Sequence, residues 1–434
     1  MEYRDALRFL DRHINHEATA GRISGLSLDP MRALVEVLGD PQQAYPVIHL
    51  TGTNGKGSTG RMITALLAEH GLSVGSYSSP HLQRVNERLA WNGEPIADDD
   101  LARVVTELAR LTPLSGTEPS YFELLTAAAY LWFAEIAVDV AVVEVGLLGR
   151  YDATNVADAD VAVVTNVGQD HTDGQGDWMQ RIASEKAGII TPESVLVLGE
   201  TDPTLQATFL AEGPRLTWRR GEDFDIVEES SAVGGQMISV RTPLGSLDDL
   251  FLPLYGRHQG ANAACAIAAV EAFFDRPLDA EVAREALATV TMPGRLEVVQ
   301  RNPLVLLDGA HNPQGAMALA ETVAEEFDVP GRRILVVGLL SGRDPRQMLD
   351  ALDAQRADLL VACTPDSPRA VPAADLAAVA ASVPVLTEIV PDPAEALDRA
   401  LAVCTEDDVV LVAGSLYVAG AARTEIERRL REDM

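Results

Sequence analysis

The chain has 434 residues, 34 cationic against 65 acidic side chains, a formal charge of −31 and an apolar content of 47%. That acidity argues against sequence-independent nucleic-acid binding and against adhesion to an anionic membrane, since both need basic surface. The length exceeds one comfortable hydrophobic core, so two domains are expected.

Cys265, Cys363 and Cys404 are odd in number and widely spaced, which suits small core residues rather than a disulfide framework or a metal-ligand set. The opening Met1-Glu-Tyr-Arg-Asp5 is polar, and no apolar run approaches the length of a membrane span. The expectation is a cytoplasmic, monomeric enzyme with small-molecule partners and neither nucleic acid nor membrane.

Leu7, Leu10 and Ile14 share one face of an expected first helix, and a second runs from about Pro30 to Leu38, with proline in its first turn. Val47 to Thr51 reads as a short buried strand, followed by a glycine-rich turn and a helix carrying Met62, Leu66 and Leu67. Strand, glycine turn and helix open a nucleotide-binding α/β unit. Ser73–Tyr77, Val138–Val145, Val161–Val167 and Val195–Leu198 are Val-rich strands suited to a parallel sheet buried on both faces.

Between about 215 and 255 the pattern changes, and Asp225-Ile-Val, Met237-Ile-Ser-Val-Arg and Leu250-Phe-Leu read as short antiparallel strands. A helix from about Asn262 to Phe274 follows, and Met292-Pro-Gly294 is the expected boundary. Beyond it, strands at Val305–Asp308, Ile334–Val337, Leu359–Cys363, Val385–Ile389 and Val409–Val412 alternate with helices. The expected fold is therefore α/β. Residues 1–293 would form a phosphate-loop domain with a mostly parallel sheet and a small antiparallel addition, and 294–434 a smaller doubly wound domain.

Lysine occurs twice, at Lys56 in Thr51-Gly-Thr-Asn-Gly-Lys-Gly-Ser-Thr59 and at Lys186 in Ala183-Ser-Glu-Lys-Ala-Gly-Ile189; every other cationic side chain is arginine. Both positions therefore call for an amine, either as a compact charge on a phosphate or as a nitrogen that can be deprotonated and modified. Leu50 stands where the strict phosphate-loop pattern has its first glycine. Even so, backbone N–H groups at a helix start attract anions, Lys56 adds a mobile charge, and Ser58 or Thr59 offers a hydroxyl to phosphate or magnesium.

Ser79, His81, Glu144 and His171 lie just after strands, where open α/β sheets place their ligands. An ionised Glu144 at a strand end is costly unless it meets a cation.

The motifs together resemble the folylpolyglutamate synthase and dihydrofolate synthase family, within the Mur ligase superfamily of ATP-dependent amide-forming ligases. The resemblance is carried by Gly52–Ser58, Ser79-Pro-His-Leu82, Asn86-Glu-Arg88, Tyr121-Phe-Glu123, Glu144-Val-Gly146 and Asp152-Ala-Thr-Asn155. It continues in family order through Thr165-Asn166, Asp170-His-Thr-Asp173, Glu185–Ile189, Gly256-Arg-His-Gln259 with Asn262, Pro293-Gly-Arg295 and Asp308–Pro313.

The resemblance implies that Gly55, Lys56, Gly57 and Ser58 cradle ATP phosphates. Asn262, Arg295 and Asp308 would hold the nucleotide, and Ser79, Glu144 and His171 would bind magnesium. It further implies a carbamylated Lys186, a role for His311 at the domain interface, and a substrate loop from Gly25 to Met31. Phe122 is either a stacking partner for an aromatic substrate ring or a core aromatic.

The implied reaction joins L-glutamate to dihydropteroate, to a reduced folate, or to both, through an acyl phosphate, releasing ADP and phosphate. A Mur-type ligase on another carboxylate and a nucleotide-binding homologue without ligase activity are the alternatives. The sequence departs from the family pattern in three places: Leu148-Gly149 where a glycine pair is usual, Tyr151 for a common leucine, and Leu339–Asp344 where an Asp-Lys-Asp-like loop is usual. These departures bear on the loops that would meet the acyl substrate or the incoming amino acid.

Overall fold

The computed structural model describes residues 1–15, 27–168 and 176–432. The first half runs through α1 (Tyr3–Asp11), α2 (Asp29–Val37), β1 (Val47–Thr51), α3 (Lys56–Glu69), β2 (Val74–Tyr77), β3 (Leu89–Trp91), β4 (Glu94–Pro95), α4 (Asp98–Leu111), α5 (Tyr121–Glu135) and β5 (Val140–Glu144). It continues through β6 (Val161–Val164), α6 (Trp178–Ala187), β7 (Val195–Leu198), α7 (Pro203–Leu210), β8 (Leu216–Arg219), β9 (Asp225–Ala232), β10 (Gly235–Thr242), β11 (Gly245–Leu252), α8 (Arg257–Phe274) and α9 (Ala280–Ala288).

An eight-stranded sheet of order β4-β3-β2-β5-β1-β6-β7-β8 organises this half. All its pairings are parallel except those of β3 with β2 and β4. β1 lies between β5 and β6, with Leu50 opposite Glu144 and Thr51 opposite Val164. This register brings three strand ends together, so the turn after Thr51, the Glu144 side chain and the Thr165-Asn166 segment meet at one edge. Every residue of β1 and β5 is buried, as continuous apolar strands covered on both faces should be.

One face of the sheet packs Ile48, Leu50, Val142 and Val163 against α3, α8, α9 and the antiparallel β9–β11 sheet. The opposite face packs Val47, Ala141 and Val143 against α1, α2, α4 and α5.

The second half comprises β12 (Glu297–Arg301), β13 (Leu304–Leu307), α10 (Pro313–Glu326), β14 (Arg333–Val337), α11 (Pro345–Ala351), β15 (Leu359–Ala362), α12 (Ala373–Ala380), β16 (Leu386–Ile389), α13 (Pro393–Val403), β17 (Val409–Ala413) and α14 (Leu416–Glu432). Its six strands are ordered β12-β13-β17-β14-β15-β16, parallel apart from the β12 edge. Helices cover both faces. The chain crosses from one sheet to the other between Ala288 and Glu297.

The α/β expectation holds, with the antiparallel addition at β9–β11. Ile14 departs from its expected place: it lies past the end of α1 and is 64% exposed. The short strands β3 and β4 and the half-exposed edge strand β12 escaped the sequence reading because they lack a long continuous apolar run. Cys265 and Cys363 are buried as expected, whereas Cys404 is only half-buried. Among the described residues no helix is long and apolar enough to cross a membrane.

His49 of β1 is fully buried and meets Thr154 Oγ1 through Nε2 at 2.8 Å. Burial lowers its pKa to about 3. An unfolded chain would protonate this ring below about pH 6.5, while the folded chain resists until about pH 3. The contribution to stability is therefore full above the unfolded value and falls with pH through that window, by up to about 1.4 kcal/mol per unit. Urea unfolding of His49→Leu and the parent chain between neutral and acidic pH should give a shallower pH slope for the variant. Equal slopes would contradict the assignment.

Candidate active site

The turn after β1 is a cradle of backbone groups. Gly55 caps α3 with φ 84°, in the left-handed region that favours glycine. A Cβ there would lie 2.3 Å from Asn262 Oδ1, so Asn262 of α8 packs directly on the turn. The turn is tied to the segment after β6: Thr53 N donates to Asn166 O at 3.0 Å and Asn54 N to Asn166 Oδ1 at 3.0 Å. Thr165 Oγ1 donates to Asn54 O at 2.6 Å. Ser58 and Thr59 are buried in the first turn of α3, and Thr59 Oγ1 has no hydrogen-bond partner among the described residues.

Lys56 opens α3 and folds back over the turn, donating from Nζ to Gly52 O at 3.1 Å. The same amine lies 3.8 Å from Glu144 Oε1. Glu144 is 7% exposed, and burial raises its pKa above the usual carboxylate range. Lys56, then Arg295, the Ser79 backbone N–H and Arg88 pull it back down. A Cβ on Gly57 would lie 3.6 Å from Glu144 Oε2, so the loop backbone and the carboxylate are close neighbours.

Arg88 belongs to the Asn86-Glu-Arg88 motif, and the sequence alone assigns it no role. It is buried, donates from Nε to His81 Nδ1 at 3.0 Å, and lies 5.7 Å from the Tyr121 ring centroid.

The second sheet closes over this cluster. Asp308, at the end of β13, accepts Leu296 N at 2.7 Å and Ala310 N at 2.6 Å, which fixes the backbone beside Arg295. Burial raises the Asp308 pKa, and Arg295 lowers it. Arg295 thus sits electrostatically between carboxylates from the two halves of the chain. His258 of α8 keeps an open face, while desolvation by the surrounding protein, followed by Arg295, lowers its pKa to about 4.

His311 Nδ1 lies 2.9 Å from Gly309 O, and Arg343 Nε donates to the His311 carbonyl at 2.8 Å. The departure at Leu339–Asp344 therefore reaches the interface through Arg343. Next to His311, Asn312 caps α10 by accepting Gly315 N at 2.8 Å and donates to Asn54 Oδ1 at 2.9 Å. Asn54 Nδ2 in turn donates to Gln314 Oε1 at 3.1 Å. Asn54, Asn312 and Gln314 thus join the phosphate-type loop to the second sheet. They were missed as a contact because more than 250 residues separate the loop from α10.

Lys186 is 4% exposed on α6. Phe122 is partly buried, with its ring 5.9 Å from Tyr77 and against Gly146, where a Cβ would lie 2.3 Å from Cζ. Its ring packs inward as a core aromatic does, with part of its surface left exposed. The expected ligand His171, and Gly25 and Leu26 of the expected substrate loop, lie outside the described residues. Among the described residues no group of three His, Cys, Asp or Glu side chains could hold a metal. Glu144 offers a carboxylate at the site, and the Ser79 backbone N–H donates to it.

Fold and site define a two-domain protein in which a glycine-lysine phosphate-type loop on one sheet is completed by charged residues from a second. The Mur ligase middle domain family matches residues 50–270, and the Mur ligase glutamate ligase domain family matches residues 294–416. The chain is 40% identical to the dihydrofolate synthase/folylpolyglutamate synthase of Mycobacterium tuberculosis, covering 92% of this chain and 89% of that one.

The solved structure of Mycobacterium tuberculosis folylpolyglutamate synthase complexed with ADP superposes with a TM-score of 0.90 at 38% identity, covering 98% of each chain. The bifunctional folylpolyglutamate synthase/dihydrofolate synthase of Yersinia pestis, complexed with AMPPNP and a manganese ion, gives 0.85 at 31% identity and 98% coverage of each. The chain belongs to the dihydrofolate synthase/folylpolyglutamate synthase family of Mur ligases.

Replacing Asn312 with alanine removes both the α10 cap and the bond to Asn54. The variant should lose about 1–2 kcal/mol of stability. Amide exchange should accelerate in the first turn of α10 and also over residues 52–56. Acceleration confined to α10 would contradict the cross-domain contact.

Proposed function

We propose that this chain is an ATP-dependent ligase that joins L-glutamate to dihydropteroate, to a reduced folate, or to both. The observation that carries the reading is the pairing of Lys56 with the buried Glu144 beside the phosphate-type loop, within the electrostatic reach of Arg295 from the second half of the chain. A nucleotide-binding module needs the loop alone. A reaction that creates and moves negative charge needs cations from more than one side.

An amide does not form from a carboxylate in water without activation. Phosphoryl transfer from ATP gives an acyl phosphate, whose carbonyl carbon the glutamate amine attacks; phosphate then leaves from the tetrahedral adduct. The backbone N–H groups from Gly55 to Ser58 are suited to hold the phosphates. Lys56, on its flexible stem, follows the transferred charge. Arg295 and Asp308 hold the nucleotide from the second domain, with Asn262 beside the loop and His311 at the interface. The link from Asn54 to Asn312 couples that grip to the phosphate loop and helps exclude water.

Magnesium fits the donors at hand. Glu144 is a carboxylate whose pKa burial raises, and Ser79, whose backbone N–H meets it, is proposed to add its hydroxyl. Hard oxygen donors suit this ion, and His171 is the further ligand proposed from the family pattern. Bound there, the ion would neutralise phosphate charge. Lys186 is proposed to carry a carbamate: its neutral amine adds to the carbon of carbon dioxide, the C=O electrons move to oxygen, and the nitrogen releases a proton to water. The resulting anion would help to hold a metal, and arginine cannot take its place.

ADP release by the purified chain should require magnesium, L-glutamate and a pterin acceptor. Release with 7,8-dihydropteroate alone assigns a dihydrofolate synthase, release with tetrahydrofolate as well assigns a bifunctional enzyme, and release solely with a muramoyl-peptide precursor would overturn the folate reading. In the same assay Lys186→Arg should lower kcat by at least about a hundredfold while thermal unfolding is unchanged. Full turnover by that folded variant would remove the carbamate role.

A further inference from the structure

The loop between Glu144 and Arg150 connects the neighbourhoods of the two lysines. Leu148, at the position where the family pattern has glycine, adopts φ 61°. That conformation costs a side-chain-bearing residue about 1–2 kcal/mol, so something must hold it. Its carbonyl accepts the hydroxyl of the buried Thr51 at 2.6 Å. Thr51 is the last residue of β1, immediately before Gly52, whose carbonyl receives Lys56 Nζ.

On the other side the loop grips α6. The Leu148 side chain packs against the apolar cluster that includes Ile182, Ala183 and Ala187, on the helix that carries Lys186. Gly149 lies so close that a Cβ would sit 2.8 Å from Glu185 O and 3.0 Å from Lys186 O. Arg150 N donates to Glu185 O at 2.8 Å. Asn155 Nδ2 ties Arg150 O at 3.1 Å and Gly188 O at 2.9 Å. Asp152 fixes the loop from within by accepting Leu147 N at 2.7 Å.

We propose that Thr51 and Leu148 are positioning residues that set Lys186 against the phosphate loop and thereby fix how fully its amine is carbamylated. The proposal rests on the carbamate reading of Lys186. A glycine at 148 would accept the backbone conformation freely but would offer α6 no side chain. Leucine adds that hold at the cost of backbone strain, which the Thr51 hydroxyl offsets. Carbamate formation is a reversible addition to carbon dioxide, so its extent depends on how well the surroundings receive the anion. A small displacement of α6 relative to β1 alters that extent without touching nucleotide or pterin.

The test uses the full chain in 13C-labelled bicarbonate. With lysine only at 56 and 186, a lysine carbamate resonance has two possible origins, and its loss in Lys186→Arg assigns it. Thr51→Val should raise the bicarbonate concentration for half-maximal activity about five- to tenfold, the effect of one lost hydrogen bond, and should weaken the resonance in parallel. kcat should recover at saturating bicarbonate, KM for ATP should be unchanged, and Thr51→Ser should restore wild-type behaviour. Leu148→Gly, which retains the loop's backbone bonds, should shift the bicarbonate requirement in the same direction and carries the test if Thr51→Val does not fold. Wild-type bicarbonate dependence in a folded Leu148→Gly or Thr51→Val would overturn the proposal. A parent chain with neither the resonance nor bicarbonate dependence would overturn the carbamate reading itself, and the positioning proposal with it.

Discussion

Taking a carboxylate out of water costs several kcal/mol unless cations and hydrogen bonds receive it, and Glu144 is such a group at the centre of this protein. Its burial follows from its place at the end of an apolar strand beside β1. Its partial compensation explains why Lys56, Arg88, Arg295 and the Ser79 backbone converge there. Remove that carboxylate and three cations from distant parts of the chain would have no common counter-charge. Keep it, and the cluster still has an acid whose pKa stands above its usual range, which is the electrostatic condition for receiving a further cation.

The same constraint explains why two domains are needed. The phosphate-type loop is complete as a backbone structure on the first sheet, held by Thr165, Asn166 and Asn262. Arg295, whose neighbouring backbone Asp308 fixes at the end of a strand of the second sheet, adds to the partial charge compensation of Glu144. Elsewhere along the interface, Arg423 joins Glu297 and Glu427 to Gln83 of the first half, and Glu326 accepts Gly256 N. The contacts nearest the loop are neutral amides, Asn54 with Asn312 and Gln314. Neutral contacts of this kind bring the two halves together beside the loop without removing a charge from water.

Much of this was legible in the sequence because the informative residues are local. β1 and β7 fall on the boundaries read from their apolar runs, and the glycine-lysine turn announces itself before α3. The departure at Leu148 was also visible, though not its meaning: only backbone geometry reveals a leucine at positive φ where glycine would be relaxed. Edge strands such as β12 were hidden because half-exposed residues carry no continuous apolar signal. Asn54, Asn312 and Gln314 were hidden for another reason, since no local pattern encodes a hydrogen bond between residues so far apart in sequence. Arg88 stood in a recognised motif, but its action on Glu144 became apparent only in three dimensions. His171 lies outside the described residues, so its place in the metal set rests on the family pattern.

We propose that the clustered cations serve to activate a carboxylate by phosphorylation. This is tested most directly by supplying the pterin acceptor with 18O in its carboxylate and analysing the phosphate released during ligation. Passage through an acyl phosphate requires one labelled oxygen to move into inorganic phosphate for each amide formed. Unlabelled phosphate, released in step with amide formation, would rule out an acyl phosphate.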